Sequence, residues 1–370
     1  MKVSLFDRRV IDHFDWVTIA LISPLMLVSL YLIFEINTDL AYRQLAYMCI
    51  GLVVFVVVFM LPIRRFIWLI PFGYWTGIAL LAIVKYIGTE RQGAARWLEV
   101  PFLHVTFQPS ELFKPIFILM LAYLIHESPP PPNGYGWKAF FKLSLYTLLP
   151  FFLIAIEPDL GTALLLLMIG GGILLAAGLK RKIWVTLIVA TAISGVFGYE
   201  LLHDYQKKRI EDFISKNSSY HVRQSMIAIG SGGLAGKHSE EATQTQLRFL
   251  PIAASDFIFA YYVERFGFVG ALALILLYIL LITHLLSLNL KTHEDYLAMV
   301  TITGVAIMLF LYMAINIAMT IGLAPVVGVP LPLFSSGGSS FMNFVILFAV
   351  IENLLAFRFY FLYTSALRSH

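Results

Sequence analysis

Cysteine and charge are both scarce in this chain. The 370 residues hold one cysteine, Cys49, in an apolar run, so no intrachain disulfide can form. Asp, Glu, Lys and Arg together make up 13% of the chain, against about 25% in soluble domains. There is no CxxC, no His pair at metal-ligand spacing and no phosphate-cradling loop of the P-loop kind. No small-residue cleavage site follows the first apolar run, which therefore reads as a retained span rather than a signal peptide. The net charge is only +4 and the pI about 9.0. Basic residues gather at the ends of apolar runs, a mark of membrane topology and anionic lipid rather than of nucleic-acid binding.

What is abundant is apolar sequence: 59% hydrophobic residues and a mean hydropathy of +0.83. The apolar residues come in runs of roughly 20, long enough to cross the hydrocarbon core as helices. A transmembrane β-barrel would show short alternating segments instead. The expected fold is an all-α integral membrane protein, one polytopic domain over 1–370 with about ten transmembrane helices. The runs place spans at 16–36, 45–61, 67–87, 109–125, 140–156, 161–179, 183–202, 258–288, 296–322 and 341–363. Pro129 to Pro132 form a stiff linker. One set of short loops and ends holds Arg8, Arg9, Arg64, Arg65, Lys138, Lys142, Lys180, Arg181 and Lys182; the other holds only Arg43, Arg91 and Arg96. The positive-inside rule makes the first set cytoplasmic, with both termini inside. The loops at 88–107, 157–160, 203–255 and 323–340 then meet on the outer face, including a large loop between the seventh and eighth spans.

The chain is organised around 250–270, where a long polar loop gives way to the eighth span and Asp256 stands at the seam. A carboxylate at the mouth of a membrane helix is costly unless solvated, paired or used. The competing reading is that Asp256 caps the next helix. In the fourth span Glu111 and Lys114 stand at i and i+3 and share a face, either lining a wet cavity or pinning the helix as a self-satisfied pair. Asp159, in the turn EPDLGTA, reads first as turn chemistry and a helix cap. The long loop is basic, with Lys207, Lys208, Arg209, Lys216, Arg223, Lys237 and Arg248. It is Gly-rich near 230–236, which suits an anionic lipid headgroup or pyrophosphate. The last loop, 322–340, mixes three prolines with Gly337 and Gly338. Irregular backbone at that depth must line a cavity or pack on protein. No Ser there has a His partner nearby, so acyl chemistry is unsupported.

Five stretches together resemble one family, the SEDS proteins of bacterial cell-wall synthesis (shape, elongation, division and sporulation). They are RWLEVPFLHVTFQPSELFK, EPDLGTA, AIGSGGLAGK, LPIAASDFIFA with ERFGFVG, and GLAPVVGVPLPLFSSGGSS, in family order from Arg96 to Ser340. The short N-terminus and lack of tails look more like the family's elongation member than its division member. Two departures stand out: Ala254-Ser255 precedes the aspartate where the family often has His-Thr, and Ser336 stands where it often has Tyr.

The resemblance implies a peptidoglycan glycosyltransferase that polymerises lipid II on the outer face of the cytoplasmic membrane. Asp256 is then the expected base for the acceptor 4-hydroxyl. Lys114, Arg96, Arg43 and Arg223 are the expected cations for the donor pyrophosphate, alone or with a divalent ion, Mg or Mn. Glu111 would orient Lys114, while Asp159, Ser336 and Ser339 would line the cavity. A groove between helices would admit the polyprenyl tail. The implied partner is a class B penicillin-binding protein, a transpeptidase, beside other membrane proteins of the elongation machinery. The rival from another class is a lipid II flippase, which needs a midplane site and commonly repeat symmetry; no internal repeat is evident. A pure scaffold would leave the ionisable residues without a use.

Overall fold

The structure, a computed structural model, describes residues 12–91, 94–100, 105–157, 159–198, 207, 220–242, 254–290, 292 and 295–358. Most of the long loop, with Lys208, Arg209, Lys216 and Arg248, lies outside the described residues, as does Lys291.

The described chain forms ten long helices and one short one: α1 (Trp16–Ile36), α2 (Thr38–Met60), α3 (Leu69–Ile87), α4 (Pro109–Glu127), α5 (Trp137–Ile156), α6 (Leu160–Ala177), α7 (Arg181–Gly198), α8 (Tyr220–Ser231), α9 (Ile258–Leu288), α10 (Tyr296–Thr320) and α11 (Gly338–Ala356). Eight of them are long and apolar enough to cross a membrane. This is a multi-pass, all-α membrane bundle. The polar stretch before α4 adds a short antiparallel sheet in the order β1 (Thr89–Arg91), β2 (Ala94–Val100), β3 (Val105–Phe107), with Glu90 opposite Ala95 and Leu98 opposite Phe107. Its aromatic and β-branched residues, Trp97, Val100, Val105, Thr106 and Phe107, explain why a segment expected to be loop pairs as strands.

Several helix starts follow from capping chemistry. Pro109 opens α4 at its first turn, where the missing N–H costs nothing. Asp159 caps α6 through Thr162 N at 3.2 Å, and Asp295 caps α10 through Ala298 N at 3.3 Å. Asn37 caps α2 by accepting from Asp39 N and Leu40 N at 2.8 and 3.2 Å, so α2 begins at Thr38 rather than near Leu45. Arg43 is therefore a helical residue, not a loop residue.

The helices are not equally enclosed. α4, α10 and α11 are buried over most of their length and form the centre, while α2 turns nearly all of its surface outward. α10 packs on α4, α6 and α9, and α11 packs on α2 and α4. α9 breaks direction at Gly267, whose φ of +67° suits glycine. A Cβ there would meet Leu234 O at 2.4 Å. The segment after α8 lies directly on this break: Phe268 N donates to Gly233 O at 2.9 Å, and Lys237 N to Glu264 O at 3.0 Å. Here the Gly-rich stretch serves close backbone packing against the kink.

Candidate active site

α9 starts two residues after Asp256, at Ile258. Its N-cap is Phe257, and no side chain caps it. The capping reading of Asp256 is therefore overturned: the carboxylate is not spent on the helix N-terminus. The backbone around it is tightly held. Asn316 of α10 donates through Nδ2 to Asp256 O at 2.9 Å and to Val329 O at 2.8 Å. Ser335 Oγ donates to Ser255 O at 2.6 Å and accepts from Leu331 N at 2.8 Å. Ser336 N donates to Ala254 O at 2.8 Å. These bonds fasten the 254–257 turn to the last loop. A Cβ on Gly328 would stand 3.6 Å from Asp256 Oδ2, so the loop backbone runs alongside the carboxylate. Burial pushes the Asp256 carboxyl above its ordinary range, and a hydrogen bond with Ser255 works against that rise.

The turn before α6 joins the same place. A Cβ on Gly161 would meet Val327 O at 3.1 Å, so the 159–161 turn lies against the last loop. Asp159 caps its helix, as its neighbours suggest, and also accepts from Gln108 Nε2 at 2.9 Å. That second bond ties the start of α4 to the start of α6. Three segments far apart in sequence thus converge beside Asp256.

One helical turn deeper lies the pair from the fourth span. Lys114 is buried, with 1% of its side chain exposed, and its ammonium donates to Glu111 and to Tyr312 OH. Asn343 of α11 donates to the other Glu111 oxygen at 3.1 Å. The pair therefore joins α4, α10 and α11, the three most enclosed helices. Tyr312 and Asn316 are four residues apart on α10, about 6 Å along its axis. A single helix face thus links the buried pair to the Asp256 turn.

The other expected site residues spread around this core. Ser336 and Ser339 are half-buried, with Ser339 inside the first turn of α11. Arg43 is exposed on α2, next to Gln44, whose Oε1 accepts from Gly337 N at 3.4 Å. Arg223 is exposed on α8 rather than in a loop, and α8 is fixed by Ser225 Oγ donating to Thr320 O at 2.7 Å. Arg96 is on β2, whose partner strand β3 leads into α4; its side chain is outside the described residues. Arg265, which follows Asp256 in sequence, is engaged elsewhere: it holds Glu35 of α1 through Nε and Nη2, both at 2.8 Å.

Among the described residues, no group of three or more His, Cys, Asp or Glu is placed to hold a metal ion. The donors around Asp256 are hydroxyls, amides and carbonyls, with Asp159 held by Gln108 and its own helix. These side chains do not make a protein cage for Mg or Mn, so no step below passes through one.

The sequence reading missed Asn316, Tyr312, Asn343 and Ser335. The first three were visible as lone polar groups in apolar spans, a pattern that marks function or buried pairing.

Fold and site together define a polytopic membrane protein with a half-buried carboxylate at a helix mouth, hydrogen-bonded to Ser255 and set above a buried ion pair. The family model of the FtsW, RodA and SpoVE cell cycle proteins matches residues 7–359, and the chain belongs to that family. The peptidoglycan glycosyltransferase MrdB of Helicobacter pylori is 51% identical over 360 residues, covering 97% of this chain and 94% of that protein. MrdB of Escherichia coli is 36% identical over 362 residues, covering 95% of each. Among solved structures, a chain of a peptidoglycan synthase complex that coordinates polymerization and crosslinking superposes with a TM-score of 0.81 at 26% identity, over 94% of this chain and 98% of that one. The rod shape determining protein RodA of Thermus thermophilus superposes at 0.71, also at 26% identity and with the same coverage.

Proposed function

We propose that Asp256 is the general base with which this chain extends glycan strands from lipid II, at the outer face of the cytoplasmic membrane. The chain is a peptidoglycan glycosyltransferase. Asp256 carries the residue assignment, because it is a half-buried carboxylate with a raised pKa that caps no helix and borders an irregular loop. A hydroxyl acceptor is a poor nucleophile at neutral pH, and a positioned base with a raised pKa is suited to take its proton. The proton leaves the acceptor 4-hydroxyl for Asp256 as the oxygen attacks the anomeric carbon. The bond to the lipid pyrophosphate breaks, and that leaving group departs with the electron pair.

Arg43 and Arg223 are exposed cations available at the rim for the pyrophosphate. Lys114 acts from beneath, its charge held in place by Glu111 and Tyr312. Asp159, Ser336 and Ser339 shape the wall. The partner is a transpeptidase of the class B penicillin-binding kind, in keeping with the solved synthase complex that this chain resembles. A flippase needs buried charge accessible from both sides in turn. The ion pairs at the opposite end of this bundle are closed on one another, which favours the polymerase.

The test is Asp256→Asn protein, purified with its partner and given lipid II in detergent, where no membrane has to be crossed. Loss of glycan polymer by about 10²–10⁴-fold with normal folding is expected. Near-normal polymer from a folded variant would remove Asp256 as the base. Lipid II movement across liposomes without any polymer from the unaltered protein would put the flippase in its place. For orientation, a Cys49-free protein carrying Arg223→Cys should react with a membrane-impermeant thiol reagent on whole cells. Reaction only after lysis would invert the topology.

A further inference from the structure

We propose that the end of the bundle opposite Asp256 holds a site for an anionic phospholipid, in a cavity between the end of α4 and the start of α5 with Lys138 and Lys142 at its mouth. The site stands independently of the glycosyltransferase reading. α4 starts beside Asp159 and runs away from it, and α5 returns, so the connecting 128–136 segment lies at the far end. A cavity of about 600 Å3 opens there, lined by Leu124, Pro131, Tyr135, Lys138, Lys142 and Leu143 among others. That is within the roughly 300–1,000 Å3 typical of sites for small ligands.

Three features make this more than a gap between helices. The wall is preformed. Tyr135 N donates to Gly178 O at 3.0 Å, Lys180 N to Tyr135 O at 3.1 Å, and Tyr135 OH to Ser128 O at 2.6 Å. Gly134 has a φ of +76°, and a Cβ there would meet Gly178 O at 3.2 Å, so the two turns touch backbone to backbone. The charge at the mouth is of one sign. Lys138 and Lys142 are exposed at i and i+4, where like charges repel. Neither makes an ion pair among the described residues, and Lys180 Nζ lies 3.9 Å from where a Cβ on Gly136 would be. A bound phosphate would relieve that repulsion. Glu127, exposed at the end of α4, is the acidic residue closest in sequence and stands outside the lining.

The interior, by contrast, is mostly apolar and continues between two membrane-crossing helices. Exposed Trp137 and Phe141 stack beside it, with ring centroids 5.6 Å apart, in the manner of aromatic residues at headgroup level. Phosphate at the mouth and hydrocarbon below describe a phospholipid better than an acidic protein segment.

The test compares phosphatidylglycerol with phosphatidylcholine on the purified full chain, by native mass spectrometry and with a photoactivatable phosphatidylglycerol. Preferred binding of phosphatidylglycerol and crosslinks confined to 124–143 are expected. Lys138→Gln/Lys142→Gln should weaken the preference by about 30-fold, which is about 2 kcal/mol at 1.4 kcal/mol per decade. Ala139→Phe should block the cavity without touching charge, and Lys182→Gln, on the same face outside the lining, should change little. Equal binding of both lipids, crosslinks scattered over the protein, or an equal effect of Lys182→Gln would overturn the site. So would glycerol phosphate competing as well as the whole lipid. Crosslink mapping on the unaltered protein decides the matter even where a variant fails to fold.

Discussion

The two ends of the bundle both bury charge, and they use it differently. At the Asp256 end the neighbouring polar side chains bond to backbone carbonyls: Asn316 to Asp256 O and Val329 O, Ser335 to Ser255 O. They hold the backbone on either side of a half-buried carboxylate. At the other end charged side chains pair with one another, alongside bonds to backbone. Arg64 pairs with Asp295 and reaches Leu354 O; His284 Nε2 lies 2.6 Å from Asp15 Oδ2, and Asp15 N donates to Glu352 at 2.9 Å. These contacts join the start of α1, the turn after α2, and α9, α10 and α11, and they close the bundle. The contrast lies in what the partners hold: backbone around Asp256, the charges themselves at the far end.

The sharpest way to break this contrast is Lys114, whose ion pair lies beneath Asp256 and is closed on itself. Lys114→Met keeps the bulk and strands Glu111 beside Asn343. Removing one member of a buried pair costs about 3–5 kcal/mol. A large fall in thermal stability, with most of it recovered in Lys114→Met/Glu111→Gln, is expected. If polymer formation also returns in the double variant, the pair is a strut like those at the far end. Folding that returns without polymer assigns the Lys114 charge to the donor.

The far end supplies the converse. Asp295→Ala removes the α10 cap and the partner of Arg64 together, with side chains 20% and 12% exposed. A loss of about 2 kcal/mol is expected from the cap and the partly screened pair. Polymer made per folded molecule should stay within about twofold of normal. A tenfold fall in that specific activity would show that the closed end is coupled to the site.

How much of this was legible in the residues depends on what each residue competes with. The ten long helices were readable because apolar runs of that length have one stable form in lipid. The start of α2 was not, because Thr38–Gln44 is polar enough to pass for loop, although Asn37 followed by Asp39 is a capping signal. Asp159 was read as a cap and is one; its grip on Gln108 spans two helices and leaves no local trace. Asp256 could be placed at the helix mouth, but whether it caps depends on a φ/ψ choice at Phe257 that no local pattern fixes. Lys114 and Glu111 were legible as a pair, while Tyr312 and Asn343, which complete their environment, come from helices some 200 residues later. Long-range partners of this kind are set by packing between helices, and one chain's pattern does not encode them in any short window.

The smallest effect bears on Asp256 itself and tests whether it is held at a cost. Its carboxyl is raised in the folded protein by burial, so the folded state binds its proton more tightly than the unfolded state does. The sign follows directly. Such a group costs no stability below its ordinary pKa near 3.8, and it destabilises the fold progressively as pH rises from there to the raised value, above which the cost is constant. The penalty grows with pH until the folded carboxyl too has ionised. Asp256→Asn removes the titration, and no cap is lost with it, since Phe257 has none from a side chain. The variant should therefore be as stable as the unaltered protein in acid and slightly more stable at pH 7, by about 1 kcal/mol or less, even as polymer formation disappears. Thermal unfolding of both proteins across pH 4 to 8 measures the difference. Asp295→Asn at the far end should instead be destabilised at pH 7, since it gives up the ion pair with Arg64. A destabilised Asp256→Asn protein at pH 7 would mean that this carboxylate, too, is spent on holding the fold together, and the contrast between the two ends would collapse.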